Sequence, residues 1–309
     1  MVERKALQAL EILLGSDGIK TAEPMSRHTT FRIGGPAEVF VEPGIHQIPD
    51  VIACCRAYQV PCTVIGNGSN LLVGDGGIDG VVVCVGKKAA QITVEGSKIK
   101  VQAGAMLSAL AIKAAEEGLS GLEFAAGIPG SVGGAVAMNA GAYGGEICDV
   151  ILSAEVLTER GERVVWDREE LQLSYRNSRV MKENAVVLSA EFGLSFGEEK
   201  EIRSRMEELK LRRSQKQPLE FPSAGSTFKR PPGNFAGKLI MEAGLRGYRV
   251  GNAQISEKHC GFVVNRGGAT AAQVRNLMRD VTNRVKAHSG VELEPEVRFL
   301  GHFLQEDET

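Results

Sequence analysis

Four short segments of this 309-residue sequence hold polar side chains that could bind or react. Ser174-Tyr175-Arg176-Asn177-Ser178 sets a cation beside a phenol and two hydroxyls. Arg212, Arg213 and Lys216 close a charge-dense stretch. Ala224-Gly225-Ser226-Thr227-Phe228-Lys229-Arg230 presents a serine after a glycine, then two cations. Glu294-Pro295-Glu296-Val297-Arg298 lies near the end; on a strand, Glu296 and Arg298 would share one face and Val297 and Phe299 the other. A guanidinium grips carboxylates and phosphates, an aligned hydroxyl can pass a proton, and a carboxyl can serve as acid or base. Each also has a plain structural alternative. Arg176 can be a surface arginine, and Lys216 a solvated helix end favoured by the dipole. Ser226 can be a turn serine, and Glu296 can pair with Arg298. Spacing alone does not choose between these readings.

Two glycine-rich loops carry a stronger signal. Gly66-Asn67-Gly68-Ser69-Asn70 follows the apolar run Thr63-Val64-Ile65. Gly127-Ile128-Pro129-Gly130-Ser131-Val132-Gly133-Gly134 leads into Asn139-Ala140-Gly141-Ala142-Tyr143-Gly144. From Gly121 to Gly145 only Glu123 is charged, and eight of the 25 residues are glycine. A strand opening into glycines exposes consecutive backbone N–H groups, which bind anions without a cationic side chain. Glycine also lets a flat ligand approach the backbone closely. One such loop is as readily a tight turn. Two of them, uncharged and carrying Asn and Ser, favour a nucleotide cofactor whose pyrophosphate is held by main chain. Other glycine motifs fail on spacing. Gly66-x-Gly68 meets Leu71 where a dinucleotide fingerprint needs its third glycine. Gly233 to Lys238 is one residue short of a P-loop and runs into Leu239, and no G-x-S-x-G elbow is present.

Periodicity supplies the elements that must position these groups. Helices are predicted over 2–14, 48–58, 105–117, 198–213 and 270–288, the last with Val274, Leu277, Met278, Val281 and Val285 on one face and Gly290 as its stop. Strands are predicted at 36–43, 61–65, 78–85, 150–157, 163–166, 185–192 and 296–300, with a hairpin at 91–101 and a short strand between Phe221 and Arg230. The acidic end Gln305–Thr309 is expected to fray. Strands cluster before residue 197 and the character changes after it, so a domain boundary is expected near 197–215.

Composition narrows the function class. The net charge of −2, from 36 basic and 38 acidic side chains, excludes the basic footprint of a nucleic-acid binder. Six cysteines lack C-x-x-C spacing and the five histidines are scattered, with only His259 beside an apolar strand, so no metal is expected. The longest apolar run, Val81–Val85, is too short to span a bilayer. The start lacks a signal peptide's apolar core, and a reducing cytoplasm is the expected location. No membrane insertion is expected, and the chain is expected to be a monomer.

Taken in order, Val64 to Val73, Gly127 to Gly134, Asn139 to Gly144, Tyr175-Arg176, Gly225-Ser226 and Glu294 to Phe299 closely resemble the UDP-N-acetylenolpyruvoylglucosamine reductase (MurB) family of bacterial cell-wall synthesis. The resemblance covers about residues 20–302. Six motifs in one order are far more specific than any one glycine loop. The resemblance implies an α+β flavoprotein: a two-subdomain FAD-binding fold of the vanillyl-alcohol-oxidase type over 1–85 and 86–200, and a C-terminal α+β substrate lobe over 201–309. FAD is the implied cofactor, held at Gly66, Asn67, Gly68, Ser69, Asn70, Gly127, Gly130, Ser131, Gly133, Gly134, Asn139 and Gly141.

NADPH is the implied co-substrate, and UDP-N-acetylglucosamine enolpyruvate the implied substrate, reduced to UDP-N-acetylmuramate. The roles that the resemblance carries over suit the residue types. Hydride from flavin N5 would reach the enolpyruvyl methylene carbon, and negative charge would spread toward the carboxylate. Arg176 and Glu296 resemble the pair that stabilises this enolate. Glu296 must then be protonated or paired with a cation. Ser226 resembles the proton donor. Tyr175, Arg213, Lys216, Gly225, Lys229, Arg230 and His259 resemble groups around the substrate carboxylate and diphosphate. This chain departs from the pattern at two places. Some members have asparagine where it has Arg230, and some have glutamine where it has His259. The short stretch between Arg176 and Ser226 resembles the class without an extra tyrosine-bearing loop. Two competing readings are a flavin oxidase of the same fold and a non-catalytic nucleotide-binding module.

Overall fold

The computed structural model describes residues 2–304, so the acidic end Gln305–Thr309 lies outside the described residues. The chain divides into two compact units, each discontinuous in sequence: Met1–Lys20, Val39–Asn67 and Gly80–Arg213 form the first, and Thr21–Glu38, Gly68–Asp79 and Ser214–Thr309 the second. The fold is α+β.

The first unit is built on a five-stranded antiparallel sheet, ordered Arg163–Asp167, Ile151–Leu157, Val186–Gly193, Lys98–Gln102 and Ile92–Glu95. The last two strands form the predicted hairpin, turning at Gly96, whose φ of +58° suits a residue without a side chain. Alternation buries Ile99, Val101, Ala154, Val156, Leu188 and Ala190 on one face. The helices Leu107–Glu116 and Val132–Ala137 contribute Leu107, Leu110, Val132 and Val136 to the same core. A second core joins Leu10 of the helix Arg4–Leu14 and Val51 and Cys55 of the helix Ile48–Ala57 to Val39, Val41, Val81 and Val83. Here Cys62–Ile65 pairs in parallel with Ile78–Cys84, with Ile65 opposite Cys84. Val85 donates to the Ile65 carbonyl at 2.8 Å, so the strand is held to its last residue before Gly66. The helix Glu199–Lys216 starts where expected and runs three residues longer than its charge pattern marked, its last three residues lying in the second unit.

In the second unit the helix Ala271–Ser289 follows its prediction closely. Thr270 and Gln273 form a capping box, Gly290 ends it in the left-handed region, and the five predicted apolar residues are buried. A three-stranded antiparallel sheet of Arg249–Val250, Ala253–Ile255 and Val263–Asn265 packs against it, beside a helix Ala236–Glu242. Elements of two or three residues are too short to show a period, so these escaped the pattern. Segments 21–38 and 68–79, expected with the N-terminal subdomain, are counted in this unit. Leu71–Val73 pairs in parallel with Arg298–Leu300, and Phe31, Ile33 and Leu72 share a core with Val274 and Leu277.

Two expectations for this unit differ. No continuous strand forms between Phe221 and Arg230; isolated bridges join Ser223 to Val264 and Phe228 to Pro295. The last strand begins at Arg298, because Val297 bends, so Glu296 does not share a strand face with Arg298. Among the described residues, no helix is long and apolar enough to cross a membrane.

Candidate active site and cofactor loops

The first unit brings the start of one glycine loop against the other. Asn67 Nδ2 donates to the Pro129 carbonyl at 2.6 Å. A Cβ on Gly66 would overlap Ser131 Oγ, so a side chain there would displace the Ser131 hydroxyl that caps the next helix. Likewise a Cβ on Gly133 would stand 2.9 Å from Ala103 Cβ. The glycines are therefore demanded by close packing as well as by any ligand. What the packing leaves over fits the group. Among the described residues of this unit, none of the backbone N–H groups of Gly66, Asn67, Gly127, Gly130 and Ser131 donates a hydrogen bond within the chain. Uncommitted amides on two adjoining loops are what a pyrophosphate needs. Ser131 itself is 3% exposed and its hydroxyl caps the Val132–Ala137 helix through Gly134.

Two of the expected cofactor residues have other work. Asn139 is 0% exposed; its Nδ2 donates to the Ser174 carbonyl at 3.3 Å and its Oδ1 accepts from Cys148 N at 2.9 Å. Its side-chain amide is thus bonded to backbone inside the unit. Gly141 opens a hairpin in which it faces Glu146, and Tyr143 and Gly144 turn the corner with φ of +56° and +91°. Two left-handed residues match the twist of a two-residue hairpin.

Arg176 stands at the tip of a turn. Ser174 and Asn177 exchange backbone hydrogen bonds of 3.0 and 3.1 Å, leaving Tyr175 and Arg176 between them. Arg176 has φ of +54°, a conformation that a bulky residue adopts at a cost on the order of 1–3 kcal/mol. Its guanidinium lies over the Tyr175 ring, 5.0 Å from the centroid, and the tyrosine is half exposed. Arg213, expected around the substrate, sits against the second glycine loop: its Cδ lies 3.1 Å from where a Gly127 Cβ would be. Burial pushes its guanidinium pKa down, and nearby Tyr143 opposes the shift.

In the second unit, Ser226 and Glu296 lie on two segments zipped together. Phe228 bridges Pro295, Lys229 N donates to Glu294 O at 2.8 Å, and Glu296 N donates to Thr227 O at 2.8 Å. Gly225, with φ of +76°, sets the turn into Ser226. Thr227, which the sequence did not mark, is 1% exposed; its N–H goes to Gly261 O and its hydroxyl accepts from Val263 N at 2.9 Å. Only its place beside Ser226 could have flagged it. Lys229 pairs with Glu294 at 3.0 Å, and Arg230 stacks on Phe235 at 3.9 Å. His259 Nδ1 accepts from Gly261 N at 3.2 Å and the ring stands edge-on to Phe262, 5.1 Å away. Burial, then the charge of Lys216, lower the His259 pKa, so it is neutral near pH 7 with Nε2 as its remaining donor. Asn70 and Asp75 follow Gly68 in the chain. Asn70 Nδ2 donates to Glu296 O at 3.1 Å, and the Asp75 carboxylate caps the Ala271–Ser289 helix at Ala271 N and Ala272 N, 2.8 and 2.9 Å away.

Residues 217–300 match the family model for the C-terminal domain of UDP-N-acetylenolpyruvoylglucosamine reductase, and residues 37–167 match the FAD binding domain model. The UDP-N-acetylenolpyruvoylglucosamine reductase of Agathobacter rectalis is 57% identical over 93% of this chain and 95% of its own length. That of Lachnoclostridium phytofermentans is 54% identical over 96% and 97%. The crystal structure of the MurB reductase from Thermus caldophilus superposes with a TM-score of 0.78 at 38% identity, covering 90% of this chain and 97% of that one. The chain belongs to the UDP-N-acetylenolpyruvoylglucosamine reductase (MurB) family. It is an oxidoreductase with an FAD-binding domain. Both glycine loops of the reductase fall inside the span matched by the FAD model. Ser226, His259 and Glu296 fall inside the span of the C-terminal model, while Arg176, Arg213 and Lys216 lie between the two.

Proposed function

We propose that the reductase takes electrons from NADPH and reduces the enolpyruvyl group of UDP-N-acetylglucosamine enolpyruvate, giving UDP-N-acetylmuramate. Bound FAD would supply the hydride-transfer chemistry between the two substrates. The loop amides of Gly66, Asn67, Gly127, Gly130 and Ser131 would hold its diphosphate. The chain's own residues manage charge and protons on the substrate.

Hydride addition at the methylene carbon leaves negative charge running toward the carboxylate. Arg176 binds that carboxylate through its planar fork and holds the charge as it grows. Glu296 assists when protonated or paired with a cation, since an unpaired ionised carboxylate beside an enolate would repel it. Ser226 hands a proton to the α carbon and completes the lactyl ether. His259, kept neutral, donates from Nε2 to the substrate, and Tyr175, Lys216, Lys229, Gly225 and Arg230 line its carboxylate and diphosphate ends. The reading carries with it a cytoplasmic monomer in peptidoglycan precursor synthesis.

The observation that carries the proposal is the zipped pair of segments that sets Ser226 and Glu296 on adjacent backbone, Glu296 N to Thr227 O at 2.8 Å. An acid and a charge stabiliser needed at one three-carbon group must be held to a common frame. The test is an anaerobic titration followed in the visible spectrum. NADPH should bleach the flavin, and the enolpyruvyl sugar nucleotide should restore it. Recovery only with oxygen would move the function to an oxidase of the same fold.

A further inference from the structure

We infer that Asn139 and Asn70, one from each glycine-rich motif, are positioning residues: each spends its side-chain amide on the backbone that presents a reactive group, Arg176 in the first unit and Glu296 in the second. The inference rests on the roles proposed above for Arg176 and Glu296.

Asn139 is wholly enclosed, with φ of +42°. Asparagine tolerates the left-handed region better than other residues with side chains, so the backbone and the amide select the same residue type. Its Oδ1 takes the Cys148 N–H, and its Nδ2 holds the carbonyl of Ser174. Ser174 is one foot of the turn that carries Tyr175 and Arg176. The other side of the turn is tied to the same region, because Ser178 Oγ donates to Ala137 O at 2.7 Å. The base of the turn is thus fastened to residues 137–139 on both sides. That fastening keeps Arg176 at φ of +54°, a conformation that would relax if the turn were free.

Asn70 does the same by a different route. Its Nδ2 donates to Glu296 O at 3.1 Å and its backbone carbonyl accepts from Arg298 N at 2.9 Å. The two bonds straddle the bend at Val297. With Glu296 N already bound to Thr227 O, both peptide groups of Glu296 are held. Removing the Asn70 amide frees the Glu296 carbonyl while the bonds to Thr227 and Arg298 remain. The expected result is a looser carboxyl in a folded protein.

The experiment uses holoenzyme carrying Asn139→Gly, Asn139→Asp or Asn70→Ala, with Arg176→Ala and Glu296→Gln as references. Each is reduced with dithionite without air and mixed with the enolpyruvyl sugar nucleotide, and flavin reoxidation is timed. FAD affinity of the apoprotein and thermal melting are measured alongside. Misplacing a reactive group by about 1 Å costs on the order of 100-fold, so reoxidation should slow roughly 10- to 100-fold in the three variants, with FAD affinity within about threefold of the parent. Glycine at 139 accepts the backbone conformation and isolates the loss of the amide. Asn139→Asp adds a signature that a general packing defect would not show. Its protonated carboxyl offers an O–H to Ser174 O, so the rate should recover as the pH falls. Weakened FAD binding with normal reoxidation of the loaded enzyme would overturn the inference and make the two residues cofactor ligands. Normal reoxidation in the asparagine variants beside slow references would also overturn it, leaving the catalytic roles intact. Fast reoxidation in the references would instead defeat the proposed roles themselves. If Asn139→Gly does not fold, the pH series of Asn139→Asp and the rate of Asn70→Ala still decide.

Discussion

Glu296 donates its backbone N–H to the carbonyl of Thr227 at 2.8 Å, and Thr227 directly follows Ser226. The enclosed Thr227 hydroxyl accepts from Val263 N at 2.9 Å, so a third segment anchors the pair. The reactive residues are therefore held by main chain, with one buried threonine as the junction. Thr227→Val keeps the shape and removes the acceptor, which strands a buried N–H. The expected loss is about 1–3 kcal/mol in urea unfolding. A loss below about 0.5 kcal/mol would mean that Val263 finds another acceptor.

Ser226→Ala should separate the two half-reactions. A positioned proton donor contributes roughly 10²- to 10⁴-fold, so reoxidation by the enolpyruvyl sugar should fall by that order. Reduction of the flavin by NADPH should stay within about threefold of the parent. Stopped-flow absorbance without air measures each step. Equal loss of both would remove Ser226 from the proton transfer.

Gly66→Ala should weaken cofactor binding. Its Cβ would overlap Ser131 Oγ. The Ser131 hydroxyl must move, and the apoprotein should bind FAD at least about tenfold more weakly, about 1.4 kcal/mol. Fluorescence quenching on FAD addition reads the affinity, and unchanged binding would show that the hydroxyl can move without harm.

Stability should depend on pH through His259. Burial holds its folded pKa below the ordinary value of 6.5, so the unfolded chain takes up its proton more readily. This contribution is fully present above pH 6.5, is lost as the pH falls through 6.5 toward the depressed folded value, and then levels off. His259→Gln should flatten the fall in urea midpoint between neutral and mildly acid pH. An unchanged fall would assign it to other groups.

Asp75→Ala should weaken the second unit. Its carboxylate accepts two N–H groups at the start of the Ala271–Ser289 helix, at 2.8 and 2.9 Å. Charge-assisted bonds to a helix N-terminus are worth about 1.5–3 kcal/mol. Urea unfolding of Asp75→Ala beside the parent gives the loss directly; no loss would mean that Thr270 caps the helix by itself.

Long periodic elements were legible in the sequence because each writes its own period into its side chains. The Ala271–Ser289 helix and its stop glycine, and the hairpin at 92–102, follow from local pattern. The six motifs likewise identified the family, since their order survives without coordinates. The sequence could not assign each residue its work, because a hydrogen-bond partner is a matter of distance in space. Asn70 and Glu296 stand 226 positions apart, and Asn139 and Ser174 are 35 apart. Both asparagines read as cofactor ligands among glycines, yet each amide turns to protein backbone. The bend at Val297, which breaks the expected strand face of Glu296 and Arg298, exists because Thr227 and Asn70 compete with the strand for those peptide groups. Residue types and order set what chemistry was possible; the tertiary partners of a few buried amides decided which residues hold and which are held.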